Sequence, residues 1–151
     1  VIYHGTNGKM NELSAAMGLT GLQSIDQFMQ SNQKNHQIYQ GGIVDISGLS
    51  LIEYNPKEKN NYQYIVVEVS EEFPLSRDEL VEVLTAENIL ARKYFWPGCH
   101  NMEPYSSLYP HAGLMLPKTK QLADRVMVLP TGMSMDERTI KEVLNILSSF
   151  R

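Results

Sequence analysis

Two short segments of the sequence hold residues that are suited to binding a ligand or moving a proton. The first is HGTNGKMNE, residues 4–12, in which two glycines flank Asn7 and Lys9 follows them, just before a helical pattern. Amide groups and the helix dipole attract anions at such a turn, and Lys9 adds a full positive charge. The segment therefore indicates an anion-binding turn, although a simple N-capping turn explains it too and is favoured on general grounds.

The second segment is YFWPGCHNMEPY, residues 94–105, which combines rigid aromatic rings and prolines with the imidazole of His100. Imidazole is the side chain that changes charge closest to neutral pH, so it could serve a reaction. A structural loop anchored by buried aromatic rings explains the segment equally well. A dyad of Cys99 and His100 is disfavoured, because adjacent side chains seldom face each other and no orienting acid is evident.

The rest of the sequence offers no complete active site. The four histidines are far apart, and no pair has the i, i+4 spacing of a helical zinc site, so we expect no metal. A phosphate-binding GxxxxGKS loop and a GxGxxG turn after a strand are both missing from the sequence. Any chemistry must therefore come from the two segments or from residues outside the chain.

Charge and hydropathy exclude two classes of partner. The formal net charge is −4 and the basic residues are scattered, whereas a nucleic-acid surface needs clustered Lys and Arg. No apolar run approaches the roughly 18 residues of a membrane span. The single cysteine, Cys99, excludes an internal disulfide framework and fits a reducing compartment, so we expect a cytoplasmic protein.

The elements that must position these segments begin with a long helix. Apolar residues recur at a helical period from Lys9 to Tyr39, with a possible bend near Gly18 or Gly21. The pair Gly41-Gly42 is expected to end the helical pattern. We therefore divide the chain into residues 1–40, a connecting loop and long helix, and residues 41–151, a small domain.

The small domain is predicted to be α+β, with a small sheet covered by helices. YQYIVVEV, residues 62–69, is the clearest strand, and apolar residues on both its faces place it inside the sheet. Capping boxes over residues 76–79 and 134–137 predict two helix starts. The remaining predicted elements are short strands over residues 89–95 and 125–129, a long loop over 96–117 and a short helix over 119–124.

The two chemical segments resemble motifs of one known family. GTNGKMNELSAAMGL resembles the Gly-x-Asn-x-Arg-Met stretch, with its following Glu, Ala-Ala and Gly-Leu, of the DegT/StrS nucleotide-sugar aminotransferases. YFWPGCHNMEPY resembles the Tyr-Phe-x-Pro-x-x-His-x-x-Pro-Tyr loop of the same family. Their order and spacing fit as well, so the resemblance covers nearly the whole chain. Within the family, these segments look closest to enzymes that act on dTDP-4-keto-6-deoxyglucose.

This resemblance implies a fold, a reaction and a cofactor. The family's enzymes are fold-type I proteins dependent on pyridoxal phosphate (PLP), and the chain would be their C-terminal small domain with a mainly antiparallel sheet. They move an amino group, usually from glutamate, to a nucleotide-linked keto-sugar for deoxysugar and polysaccharide biosynthesis. Their reactive lysine and ring-nitrogen acid lie upstream in a large domain. The chain would then hold no catalytic residue and be inactive alone.

The resemblance also assigns roles in a homodimer with active sites at its interface. Asn7 would reach the PLP phosphate of the partner subunit, and Lys9 would face the phosphates of the sugar nucleotide. Lys9 replaces the more common Arg, so it offers a point charge instead of a planar fork. His100 would approach the substrate from the neighbouring subunit, and Tyr105 and Trp96 would shape the pocket.

Two alternatives stay open at this point. The family includes PLP-dependent sugar dehydratases, in which the lysine is replaced, and the deciding position is upstream. The chain could also be a self-sufficient α+β binding module without enzymatic activity. An exposed apolar face on the helix from Met10 to Met29 would count against the module, because such a face normally packs on another domain.

Overall fold

The leading helical segment consists of two helices that meet at Ser24. The computed structural model describes residues 8–150, in which α1 spans Glu12–Gln23 and α2 spans Ile25–Ile43. At the junction, the Ser24 amide donates to the Gly21 carbonyl at 3.2 Å, and the Ser24 backbone leaves helical geometry. The predicted bend is therefore present, but it lies three residues beyond Gly21, at a serine, a residue type that favours helix ends.

The second helix continues through Gly41-Gly42, so the prediction that these glycines end the pattern is wrong. Leu144, on the last helix of the chain, lies against Gly42 so closely that a Cβ there would overlap its side chain. Because Gly42 has no side chain, the second helix and the last helix can pack closely at this position. A contact between residues so distant in sequence overrides the local preference of glycine for turns.

Within residues 8–150, four strands form one antiparallel sheet in the order β1-β2-β4-β3. The register pairs Leu49 with Val69 and Val67 with Met127. The second strand therefore lies inside the sheet, as predicted, and the sheet is small and antiparallel, as predicted. The strands are β1 (Leu49–Leu51), β2 (Ile65–Val69), β3 (Arg92–Lys93) and β4 (Val126–Leu129).

Four more helices follow α2, and their starts test the two predicted capping boxes. The first box is confirmed: the Ser76 hydroxyl accepts from the Glu79 amide, and the Glu79 carboxylate accepts from the Ser76 amide at 2.8 Å. The second is wrong, because Asp136 is the N-cap and accepts from the Thr139 amide at 2.8 Å. The helices are α3 (Arg77–Ala86), α4 (Tyr105–Leu108), α5 (Pro117–Arg125) and α6 (Glu137–Ser148).

The predicted long loop connects β3 to α5 and is partly helical. It contains α4 and two 3₁₀ turns, at Cys99–Asn101 and Ala112–Met115. The strand predicted over residues 89–95 shrinks to the two residues of β3, because the chain turns away from the sheet after Lys93. The loop is therefore built from short turns that hold its polar residues in place.

The core lies between one face of the sheet and the helices α2, α3 and α6. Alternate residues of β2 point into it, as the strand prediction required, while Val66 and Glu68 stay half-exposed. Within the described residues α1 contributes no buried side chain, and no helix there is long and apolar enough to cross a membrane. The fully buried core side chains include Tyr39, Ile43, Ile65, Val67, Leu80, Leu84, Met127, Leu129, Ile140, Val143 and Leu147.

A buried arginine fixes the position of α5. The Arg77 guanidinium donates to the Ala123 carbonyl at 2.7 Å and to the Val126 carbonyl at 2.6 Å. It also pairs with Asp78 at 2.6 Å, and Lys93 pairs with the same carboxylate at 3.0 Å. Burial acts to raise the pKa of Asp78, but hydrogen bonds from Lys93 and Arg77 outweigh it and hold the pKa below its usual value. The network joins α3, β3 and α5.

Candidate functional site

The turn before α1 exposes an unpaired cation. Lys9 is exposed, and within residues 8–150 it forms no ion pair or side-chain hydrogen bond. Asn11 caps the helix, because its side chain accepts from the Ser14 amide at 2.8 Å. Asn7, the predicted cofactor contact, lies outside the described residues. In the described part of the turn, Asn11 therefore caps the helix, and Lys9 places a positive charge beside the helix N-terminus.

The leading helical segment carries a stripe of exposed large apolar side chains along its length, distributed over more than one side of α1. Leu13 and Met17 on α1 are 72% and 70% exposed, and Phe28 on α2 is 45% exposed. An apolar surface of this kind usually marks a contact with another domain or subunit. The stripe consists of Met10, Leu13, Met17, Leu22, Ile25 and Phe28.

His100 is held between two glycines of the loop. A Cβ at Gly98 would approach the His100 Cε1 atom to 2.9 Å, and Gly98 has a φ of 85°, which disfavours other residues. On the other side, a Cβ at Gly113 would lie 3.5 Å from the His100 Cδ2 atom. The side-chain amide of Asn101 donates to the Pro97 carbonyl at 2.8 Å and closes the turn. These contacts fix the orientation of the imidazole ring.

The Nε2 atom of His100 is buried and has no hydrogen-bond partner among the described residues. Such an atom normally has a partner, so it is suited to accept or donate a bond to a ligand. A cavity of about 250 Å³ adjoins it, and Lys120 of α5 lies on the same cavity wall. The cavity is lined by His100, Asn101, Ser106, Pro110, Gly113, Leu114 and Lys120.

Tyr105 and Trp96 lie elsewhere on the loop. Tyr105 begins α4 and is 53% exposed, and it does not line the His100 cavity. Trp96 is 47% exposed, with the Lys93 ammonium 5.4 Å from its ring centroid. Among residues 8–150 no hydrogen bond or ion pair joins Lys9 to this loop. The structure thus gathers His100 with Lys120, and leaves Lys9, Tyr105 and Trp96 separate from it.

Sequence reasoning missed Lys120 and the role of Gly113. Both lie more than ten residues after His100, and no local pattern joins them to it. The signal that was available is the glycine and proline content of the loop, which indicates tight turns without giving their partners.

An acid on the same loop is fixed by two hydroxyl groups. The Glu103 carboxylate accepts from the Ser106 hydroxyl at 2.6 Å and from the Ser107 hydroxyl at 2.7 Å. The hydrogen bonds from Ser106 and Ser107 lower the pKa of Glu103. Glu103 therefore stabilises the first turn of α4. The described residues contain no group of three or more His, Cys, Asp or Glu that could hold a metal.

Comparison with known proteins identifies the family. Residues 2–148 match the model of the DegT/DnrJ/EryC1/StrS aminotransferase family, which is nearly the full length of the chain. The chain belongs to this family. The resemblance read from the two chemical segments is thereby confirmed.

Curated relatives of this DegT-family chain are longer than it is. It is 32% identical over 143 residues to the dTDP-4-amino-4,6-dideoxy-D-glucose transaminase of Escherichia coli, covering 95% of the chain and 38% of the relative. It is 29% identical over 147 residues to the enzyme of the same name from Shigella dysenteriae, covering 97% of the chain and 40% of the relative. The chain therefore spans about 40% of the length of these relatives.

A solved structure confirms the fold class. The crystal structure of DesI in the presence of its TDP-sugar product superposes with a TM-score of 0.87 at 41% identity. The match covers 96% of this chain and 36% of DesI. The predicted α+β domain of a PLP-dependent transferase, with its small antiparallel sheet, is thus correct.

Aminotransferases of this family depend on PLP, so the described residues can be tested for their fit to it. The exposed, unpaired Lys9 beside a helix N-terminus suits a phosphorylated ligand. The reactive lysine of such an enzyme must face an enclosed site. Seven of the eight lysines are exposed, and Lys93, which is half-buried, pairs with Asp78 at 3.0 Å. The exposed Lys9 therefore fits the phosphate-binding periphery of a PLP site.

Proposed function

We propose that the full-length protein carrying this chain is a PLP-dependent aminotransferase. It moves an amino group from an amino acid such as glutamate to the keto group of a nucleotide-linked sugar. The observation that carries the proposal is the 41% identity to DesI, a protein crystallised with its TDP-sugar product. Two relatives named dTDP-4-amino-4,6-dideoxy-D-glucose transaminase support the same class of substrate.

The chain supplies the substrate-clamping portion of this enzyme. Residues 41–151 are the small domain, and residues 1–40 connect it to a large domain that carries the reactive lysine. The exposed stripe of α1 and α2 supports this division, because a self-sufficient binding module would bury such side chains. The chain on its own is therefore inactive.

The turn before α1 handles phosphate groups in a homodimer. Asn7 donates to the PLP phosphate of the partner subunit, and the Lys9 ammonium pairs with the diphosphate of the sugar nucleotide. Lys9 is exposed and has no acid partner within residues 8–150, which supports this role. When bound, PLP supplies the electron sink that amino transfer requires.

His100 contacts the substrate from the neighbouring subunit. Its ring is fixed by Gly98 and Gly113, and its unpartnered Nε2 atom is free for a substrate oxygen. Tyr105 and Trp96 are exposed on the same loop and form pocket walls once the partner subunit covers them. The free, exposed thiol of Cys99 suits the reducing cytoplasm, where we place the enzyme.

A coupled assay with the full-length protein tests the function. The protein, PLP, L-glutamate and dTDP-4-keto-6-deoxyglucose are expected to give a dTDP-4-amino sugar and an equal amount of 2-oxoglutarate, measured by mass spectrometry. A deoxygenated keto-sugar without nitrogen would show a dehydratase instead. Absence of both PLP binding and sugar turnover would support the binding module.

A further inference from the structure

The outer face of the sheet carries a groove that the proposed roles above do not use. Arg92 pairs in register with Val128, and Val128 pairs with Val66, so these side chains share the face turned away from the core. Tyr64 directly precedes β2 and Tyr94 directly follows β3, and both line the groove beside these residues. Together with Gln63, Leu90 and Thr131 they enclose a cavity of about 240 Å³.

Arg92 is the unpaired arginine of the described residues. It is exposed to the groove and forms no hydrogen bond or ion pair within residues 8–150. Each of the other three arginines there pairs with an acid: Arg77 with Asp78, Arg125 with Glu71 and Arg138 with Glu142. No aspartate or glutamate lines the groove. Its one full charge is therefore positive and available to a ligand.

Two tyrosines line the same groove as Arg92. The Tyr64 and Tyr94 hydroxyl oxygens are 3.3 Å apart and their ring centroids 5.2 Å apart. Only one hydroxyl can donate to the other, so the second keeps its proton for an acceptor. The Tyr54 hydroxyl holds the Tyr64 backbone in place, donating to its carbonyl at 2.9 Å and accepting from its amide at 3.1 Å. The donors of the groove are thus supported by rigid neighbours.

We propose that this groove binds the carboxylate of the amino donor, with Arg92 as the primary contact. The proposal rests on the proposed aminotransferase function. A guanidinium matches a carboxylate with two parallel hydrogen bonds, and a free tyrosine hydroxyl adds a third donor. The groove offers one cation and no acid, which matches one carboxylate, and it is a different surface from the turn that contains Lys9. The donor and the sugar nucleotide are therefore held by different basic residues, Arg92 and Lys9.

Steady-state kinetics of the full-length enzyme test this assignment. In Arg92→Met, KM for L-glutamate is expected to rise about tenfold or more, because charge-assisted hydrogen bonds are lost. KM for the nucleotide sugar is expected to stay within about twofold, since Arg92 does not contact it. Tyr64→Phe and Tyr94→Phe keep the rings and should each raise KM for glutamate by a smaller factor. The matched control is Arg138→Met, which removes an arginine from the exposed face of α6.

The outcomes separate this proposal from the function on which it rests. If the wild-type enzyme transfers no amino group, the proposed function fails. If it does, and Arg92→Met keeps the wild-type KM for glutamate, the carboxylate site is refuted while the function stands. An equal rise in KM for both substrates, or a rise in KM for the nucleotide sugar alone, also refutes the site. Thermal unfolding of each variant identifies any loss that comes from misfolding.

Discussion

The imidazole of His100 lies so close to Gly98 that a Cβ at position 98 would stand 2.9 Å from its Cε1 atom. The same glycine has a φ of 85°, a conformation that side chains other than glycine rarely adopt. The backbone conformation of the turn and the position of the His100 ring thus both depend on Gly98. The loop can present His100 in its observed orientation only while position 98 has no side chain.

Gly98→Ala should therefore displace His100. We expect a destabilisation of about 1–3 kcal/mol from the positive φ, and a changed His100 ring environment in NMR spectra. Gly113→Ala is the matched control, because its Cβ would lie 3.5 Å from His100 Cδ2, an ordinary contact. Equal effects of the two substitutions on the His100 resonances would contradict the role of Gly98 in positioning the ring.

Arg77→Met should destabilise the domain by about 2–4 kcal/mol, because two buried carbonyls lose their donor. Those carbonyls belong to Ala123 and Val126, at the junction of α5 and β4. Urea unfolding of the chain measures the loss. Arg138→Met breaks an exposed pair with Glu142 and should change stability by no more than about 0.5 kcal/mol. A comparable loss in both variants would show that Arg77 has no special structural role.

His36 should make stability depend on pH near neutrality. Its ring is buried between Tyr54 and Tyr62, with centroids 5.3 Å from each, and its Nε2 atom has no partner among the described residues. Burial lowers the pKa of His36, although the charge of Glu53 acts to raise it.

The sign of the effect follows from this direction. Stability is complete above the unfolded pKa of about 6.5 and is lost as the pH falls through the lower folded pKa. The urea midpoint should thus drop between about pH 7.5 and about pH 5.5, before the carboxylates titrate. In His36→Phe, which keeps a ring in the cluster, the urea midpoint should change less with pH. An identical pH dependence of the urea midpoint in the wild type and in His36→Phe would rule out His36 as its cause.

Leu13→Ser should distinguish the isolated chain from the full-length protein. Leu13 is 72% exposed, so the substitution should change stability of the chain by no more than about 0.5 kcal/mol. In the full-length protein the proposed large domain would cover the stripe, so the substitution should cost about 2–4 kcal/mol there. Equal small effects in both would mean that the stripe stays uncovered.

Features set by neighbours in the chain could be predicted from the sequence. The alternation of β2, the capping box of Ser76 and Glu79 and the leading helical pattern are all local, and all are present. The second helix start failed because Asp136, two residues after Ser134, is also a strong N-cap. Both Ser134 and Asp136 satisfy the local rules for an N-cap. The packing of α6 against the core decides between them.

Features set by distant contacts could not be predicted. Arg77 binds carbonyls 46 and 49 residues away, and no local pattern of a charged residue indicates its burial. The turns of the loop place Lys120 on the same cavity as His100, and the strand order β2-β4-β3 places Arg92 on the same groove as Tyr64. The two candidate segments could be singled out from the sequence, whereas the residues around them depend on tertiary structure.

The lack of any buried side chain on α1 links assembly to ligand binding. An isolated helix of 12 residues is marginal in water, so α1 depends on whatever surface covers its apolar stripe. Lys9 lies three residues before the first residue of this helix, so formation of the helix would also restrict the position of Lys9. If Lys9 binds a phosphorylated ligand as proposed, that ligand would favour the assembled state by the same free energy with which assembly favours the ligand. The substrate would then stabilise the assembled enzyme. Its parts would separate most slowly when sugar nucleotide is abundant.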